Sequence, residues 1–158
     1  MRLMLFVGVF FALQTAWAAA RGTAAERLLI EGLIVPSAAL LANLLPLGVE
    51  AFAFGARLVS AQGSVNVLNG CEGTDVLFLL IAAFAAAALP WRWKLLGVLV
   101  GAALAYVLNL VRIVVLFQAV RLEPTWFGVL HSTVTPLLLT LAVGLFFLAW
   151  LRRADSAL

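Results

Sequence analysis

From Leu95 to Val120 the chain carries one formally charged side chain, Arg112. A run of that length and character matches the hydrocarbon thickness of a bilayer, which takes about 20 apolar residues as a helix. Comparable runs extend from Leu3 to Ala20, from Asp75 to Leu89 and from Val134 to Trp150. Of the 158 residues, 66% are hydrophobic and 11% charged, and the mean hydropathy is +1.18. A soluble domain of this size could not cover so much apolar surface with so thin a polar shell. The sequence therefore predicts an all-α, polytopic membrane helical bundle.

The interruptions give the organisation. "MRLMLFVGVFFALQTAWAAA" combines a basic start, an apolar centre and a small-x-small end at Ala16-Trp17-Ala18. That is the form of a cleavable signal peptide, and it is also long enough to span. Residues 28–48 are apolar but broken by Glu31, Pro36, Asn43 and Pro46, which suits a kinked span or a helix lying at the interface. In residues 51–70, Gly63-Ser64 separates two short runs and predicts a hairpin-like segment outside the hydrocarbon. Trp91, Arg92, Trp93 and Lys94 form an interfacial flank after Pro90, and Arg152-Arg153 close the last run. The excess of basic residues on cytoplasmic flanks puts Arg2, Arg92, Lys94, Arg152 and Arg153 inside. The parity closes with four transmembrane helices if 28–48 is interfacial. Five spans with an external N-terminus is the competing count. Residues 1–158 read as one integral membrane domain ending in a cytoplasmic tail, 151–158.

Composition also excludes chemistry. A single cysteine, Cys71, rules out an intramolecular disulfide, and with a single histidine, His131, a zinc site lacks its usual ligands. No metal or organic cofactor is indicated. The net charge of +3 is scattered or confined to span edges, so nucleic acid is not an expected partner.

The topology brings three reactive side chains to one face. Cys71, in the glycine-flanked stretch "NGCEGTD", precedes the external end of its span. Backbone N–H groups at that helix entrance would favour a thiolate, while Glu72 opposes it. His131, in "GVLHSTVTP", precedes the last span and titrates in the range useful for proton transfer. Arg112 lies in the outer half of its span, about nine residues or roughly 13 Å from Arg121, a long reach for snorkelling. A guanidinium at that depth faces a cavity, a partner or a pathway. Asn109, three residues earlier on the same helical face, extends the polar stripe. Together a thiolate can attack a peptide carbonyl, an imidazole can move the protons, and a guanidinium can stabilise negative charge on oxygen. Glu72, Asp75 and Glu123 are candidates to orient the histidine.

Cys71-Glu72-Gly73, Asn109-Leu110-Val111-Arg112-Ile113 and His131 before the final span resemble the exosortase/archaeosortase family of integral membrane cysteine proteases. The resemblance covers roughly residues 50–150, with 1–50 as variable N-terminal helices, and it is to the compact variants of the family. It implies Cys71 as nucleophile, Arg112 as the invariant arginine and His131 as acid/base, with Asn109, Glu72 and Gly73 in support. It further implies substrates that are exported proteins carrying a C-terminal sorting signal of the PEP-CTERM kind: a short motif, a transmembrane helix and a basic tail. Cleavage would occur at the periplasmic face of the inner membrane, with an acceptor molecule taking the acyl group in a transpeptidation. The alternative is a non-enzymatic transporter or envelope-assembly subunit in which Arg112 binds an anion or pairs with an acid such as Glu31.

Overall fold

A computed structural model describes residues 1–67 and 70–156. Its helices are α1 (Arg2–Ala20), α2 (Ala24–Leu44), α3 (Thr74–Ala86), α4 (Trp91–Leu122) and α5 (Pro124–Asp155). Between α2 and α3 lie strands β1 (Phe52–Phe54), β2 (Arg57–Ser60) and β3 (Gly63–Asn66). The architecture is that of a largely helical polytopic membrane protein with one small antiparallel sheet. By length and composition α1, α2, α4 and α5 can each cross a membrane, whereas α3 is shorter. Residues Leu68 and Asn69 of the expected hairpin, and the last two residues of the expected tail, lie outside the described residues.

The elements differ from expectation at three places. Residues 24–44 form one continuous helix through Pro36, and the last helical run starts at Pro124 rather than near Val134. Both helices contain a π turn, Ile30–Ile34 in α2 and Leu130–Val134 in α5, and each turn is followed two residues later by a proline, Pro36 or Pro136. A proline ring inside a helix collides with the carbonyl four residues back and withdraws one N–H. The wider π turn provides that room, so each helix continues past its proline. The hairpin turn also falls earlier, at Ala61-Gln62, because Ser60 pairs with Gly63.

The chain divides into two compact units, and α4 and α5 each contribute to both. The first comprises Met1–Ala19, Gly73–Tyr106 and Leu138–Leu158. Here α1 runs antiparallel to α3. Arg2, Leu3 and Phe6 share a groove with Ala83, Ala86 and Ala87 at the end of α3, while Gln14 Nε2 donates to Asp75 Oδ1 at 2.9 Å near its start. Gly97 and Gly101 of α4 let aromatic rings lie against its backbone: a Cβ on Gly101 would stand 2.6 Å from Leu80 and 2.7 Å from Phe146. Phe84 meets Phe147 edge-on at 5.0 Å, and Trp150 Nε1 donates to the Trp93 carbonyl at 3.1 Å.

The second unit comprises Ala20–Glu72 and Val107–Leu137. One stripe of α2 is buried: Ile30, Ile34, Val35, Ala38, Ala39 and Ala42. Asn43 at its end clamps the chain before β1, donating to the Ala51 carbonyl at 2.9 Å and accepting the Ala51 N–H at 2.8 Å. The sheet order is β1-β2-β3. Leu58, Val65 and Val67 are buried on one side of it. On that alternation Gly63 faces the end of α4, where a Cβ would stand 3.3 Å from Val120. Arg121 fixes the β2–β3 turn by donating to Gln62 Oε1 at 3.0 and 3.2 Å.

Candidate active site

The loop that carries Cys71 is shaped by two glycines. Gly70 and Gly73 have φ of +93° and +79°, in the left-handed region where a side chain costs energy, so "GCEG" can bend where other residues would be strained. Glu72 closes the loop on itself, its Oε2 accepting the Gly70 N–H at 2.7 Å. The expected polar stripe of α4 lies against this loop. Asn109 Nδ2 donates to the Cys71 carbonyl at 3.1 Å, and Arg112 Nη1 donates to the Gly70 carbonyl at 3.0 Å.

Arg112 also holds the opposite side. Its Nε donates to Thr135 Oγ1 at 3.0 Å, and its Nη2 points to the His131 carbonyl at 3.4 Å. The π turn of α5 leaves the His131 carbonyl open to a side chain: the Thr135 N–H pairs with the Leu130 carbonyl, and the next residue, Pro136, has no N–H to donate. Thr135 Oγ1 in turn donates to the Leu130 carbonyl at 2.8 Å, and Ser132 Oγ to the Gly128 carbonyl at 2.7 Å. One guanidinium thus bridges the Cys71 loop and the His131 turn, and it is 7% exposed. Its partners are neutral oxygens. Glu31, the acid considered for an ion pair, is exposed on α2.

The result is a contact between two residues 60 positions apart: Cys71 Sγ lies 2.8 Å from His131 Nε2. The imidazole stacks on Phe127 with ring centroids 5.4 Å apart and planes within 19°. Each acid considered for orienting His131 has another partner. Glu72 takes Gly70 N–H, Asp75 takes Gln14, and Glu123 accepts from Thr125 Oγ1 at 3.0 Å. Thr135 and Phe127 were not singled out in the sequence. Their signal is spacing, four residues after and four before His131, which places all three along one helical face.

Cys71 is 2% exposed, so the thiol is covered. Burial pushes its pKa up, the Arg112 charge opposes that rise, and the Glu72 carboxylate adds to it. The net direction is upward, opposite to the lowering that backbone N–H groups at a helix entrance would bring. Among the described residues Asn109 Oδ1 is buried without a hydrogen-bond partner, and no group of ligands suited to a metal ion is found.

Sequence comparison bears on this geometry directly. The family model described as transmembrane exosortase (Exosortase_EpsH) matches residues 33–150, a stretch that holds Cys71, Asn109, Arg112 and His131. The chain belongs to the exosortase family. No curated protein and no solved structure matches it. As an exosortase it is a multi-pass membrane enzyme of the cysteine protease and transpeptidase type, and the Cys71–His131 contact is the pair such chemistry requires.

Proposed function

We propose that this exosortase cleaves a C-terminal sorting signal from exported proteins at the periplasmic face of the inner membrane, with Cys71 as nucleophile. The observation that carries the reading is the 2.8 Å contact between Cys71 Sγ and His131 Nε2. With its thiol pKa raised, Cys71 rests as the neutral S–H, and His131 Nε2 takes that proton as sulfur attacks the scissile carbonyl. The carbonyl oxygen becomes an oxyanion. Arg112 carries five N–H donors and engages three of its nitrogens in the site, so it holds the two reacting groups in register while placing positive charge beside the developing negative one. His131 returns the proton to the departing amine as the C–N bond breaks, leaving a thioester on Cys71. An amine acceptor or water then attacks that thioester and releases the sulfur.

Asn109 and Glu72 support the reaction by fixing the loop, and Gly73 by its backbone conformation. The substrate class that fits has a cleavable segment next to a transmembrane helix and a basic tail. The test is Cys71→Ala in cells expressing an exported protein with a tagged C-terminal signal. The variant accumulates in the membrane at the wild-type level and leaves the tag uncleaved. Cleavage at the wild-type rate by that variant excludes Cys71 as nucleophile and removes the reading.

A further inference from the structure

The geometry points to the free edge of β3 as the strand on which the substrate backbone is laid: an extended peptide adds to the sheet beside β3 and is thereby presented to Cys71. This rests on the protease reading above and adds a substrate-binding site to it.

The argument begins with which backbone groups the sheet leaves open. In an antiparallel pair, alternate residues turn their N–H and C=O toward the partner strand. The register pairs Ser60 with Gly63 and Leu58 with Val65, and the Val67 N–H continues the same set by donating to the Ala56 carbonyl at 2.8 Å. Gly63, Val65 and Val67 therefore face β2. On the other strand of β2, Phe54 pairs with Arg57 and Phe52 with Val59, the alternate set, as the pattern demands. The N–H and C=O of Ser64 and Asn66 point away from the sheet. β3 is an edge strand, and no hydrogen bond from the described residues takes up these four groups. Both side chains are exposed. An edge strand with open main-chain groups is a template for pairing with another chain.

Position then connects this edge to the chemistry. Gly63 stands beside Val120, near the end of α4, and Gly70 is held by Arg112, about 12 Å back along the same helix. The two ends of this segment, β3 and the loop that holds Cys71, thus lie beside the same stretch of α4, and Cys71 follows Asn66 by five residues. Attack on a peptide bond needs the backbone extended, with its carbonyl accessible from one side. Strand addition supplies that conformation through main-chain bonds alone, and side-chain pockets then add selectivity. The outward groups of Ser64 and Asn66 recur at a two-residue spacing, so an added strand is gripped at alternate residues.

Main-chain pairing is indifferent to side chains, so an alanine peptide is a sufficient probe. Cys71 of the detergent-solubilised full chain is alkylated with acetyl-tetraalanyl chloromethyl ketone and, separately, with chloroacetamide, which has no backbone to pair. The peptide probe reacts faster with the wild type, and N-methylation abolishes the gain at alternate residues only. Ser64→Pro and Asn66→Pro each remove one outward N–H without touching the β2 ladder, a position where an edge strand accepts proline. Each variant reduces the peptide rate by about tenfold, as expected for one or two lost hydrogen bonds, and keeps the chloroacetamide rate. Equal peptide rates in wild type and both variants overturn the proposal. So does a parallel fall of both rates, which would mean that β3 only supports the loop. The Cys71→Ala cleavage assay reports on the protease reading separately.

Discussion

The thiol of Cys71 stands between two opposed charges, and its reactivity follows from their balance. Arg112 favours the thiolate, while burial and Glu72 disfavour it. Glu72→Gln keeps an oxygen able to accept the Gly70 N–H but removes a negative charge that raises the thiol pKa. The pH midpoint of Cys71 alkylation by iodoacetamide therefore moves down in that variant, and the rate at neutral pH rises. An upward or absent shift means that the carboxylate acts only through the loop. Arg112→Lys is a sharper test. Lysine keeps the charge but cannot direct planar donors to Gly70, Thr135 and His131 together. The reacting groups lose register, and kcat falls by about a hundredfold, the scale expected from a misplacement near 1 Å. Wild-type turnover assigns Arg112 a role through charge alone. Arg112 could be found in the sequence because a guanidinium among apolar residues is costly and so calls for a reason. Thr135 and Phe127 carry no comparable cost at their positions. Their part becomes visible only once the turn around His131 is known.

At the scale of elements, the close contacts of α4 make its glycines the most sensitive positions in the first unit. Gly97 and Gly101 face Leu80, Phe84, Phe146 and Trp150 so closely that any Cβ displaces a ring or a leucine. Gly101→Leu overpacks this contact and destabilises the protein by ~1–3 kcal/mol, read as a lower unfolding midpoint in detergent. An unchanged midpoint would show that the neighbouring rings can retract at no cost. The small-x3-small spacing is a known device of helix packing in membranes, yet within "GVLVG" it is hidden by an uninterrupted apolar run. The runs that became α1 and α4 were legible because period and composition agree with crossing a bilayer. The sheet was half legible. Gly63 looks like a turn residue, but the turn precedes it, and its missing side chain serves the approach to Val120. Pro36 reads as an interruption for a similar reason, since a sequence does not display the π turn that lets the helix run through it.

For the whole molecule, helix directions choose among the topologies. If Arg92 and Lys94 mark the cytoplasmic side, the end of α3 is cytoplasmic. The start of α1 shares a groove with that end, so α1 begins inside and Ala20 lies outside. α4 begins inside and ends outside near Val120, where Gly63 and the sheet are held. The end of α2 is tied to the chain entering β1 by Asn43, so it too belongs to the outer side. On that orientation we propose that both ends of α2 lie outside and that α2 does not cross despite its length. The four-span count expected from the sequence then has α1, α3, α4 and α5 as its crossings. In a Cys71→Ala background, Thr23→Cys and Leu45→Cys are therefore both labelled by a membrane-impermeant maleimide in intact spheroplasts, while Trp91→Cys is labelled only after permeabilisation. Labelling of Thr23→Cys and Leu45→Cys from opposite sides would make α2 a span and restore the five-helix count. The same directions give depth. Asp75, at the start of α3, meets Gln14 six residues before α1 ends, roughly 9 Å short of its outer end. On the same orientation the short α3 begins below the level at which α1 ends.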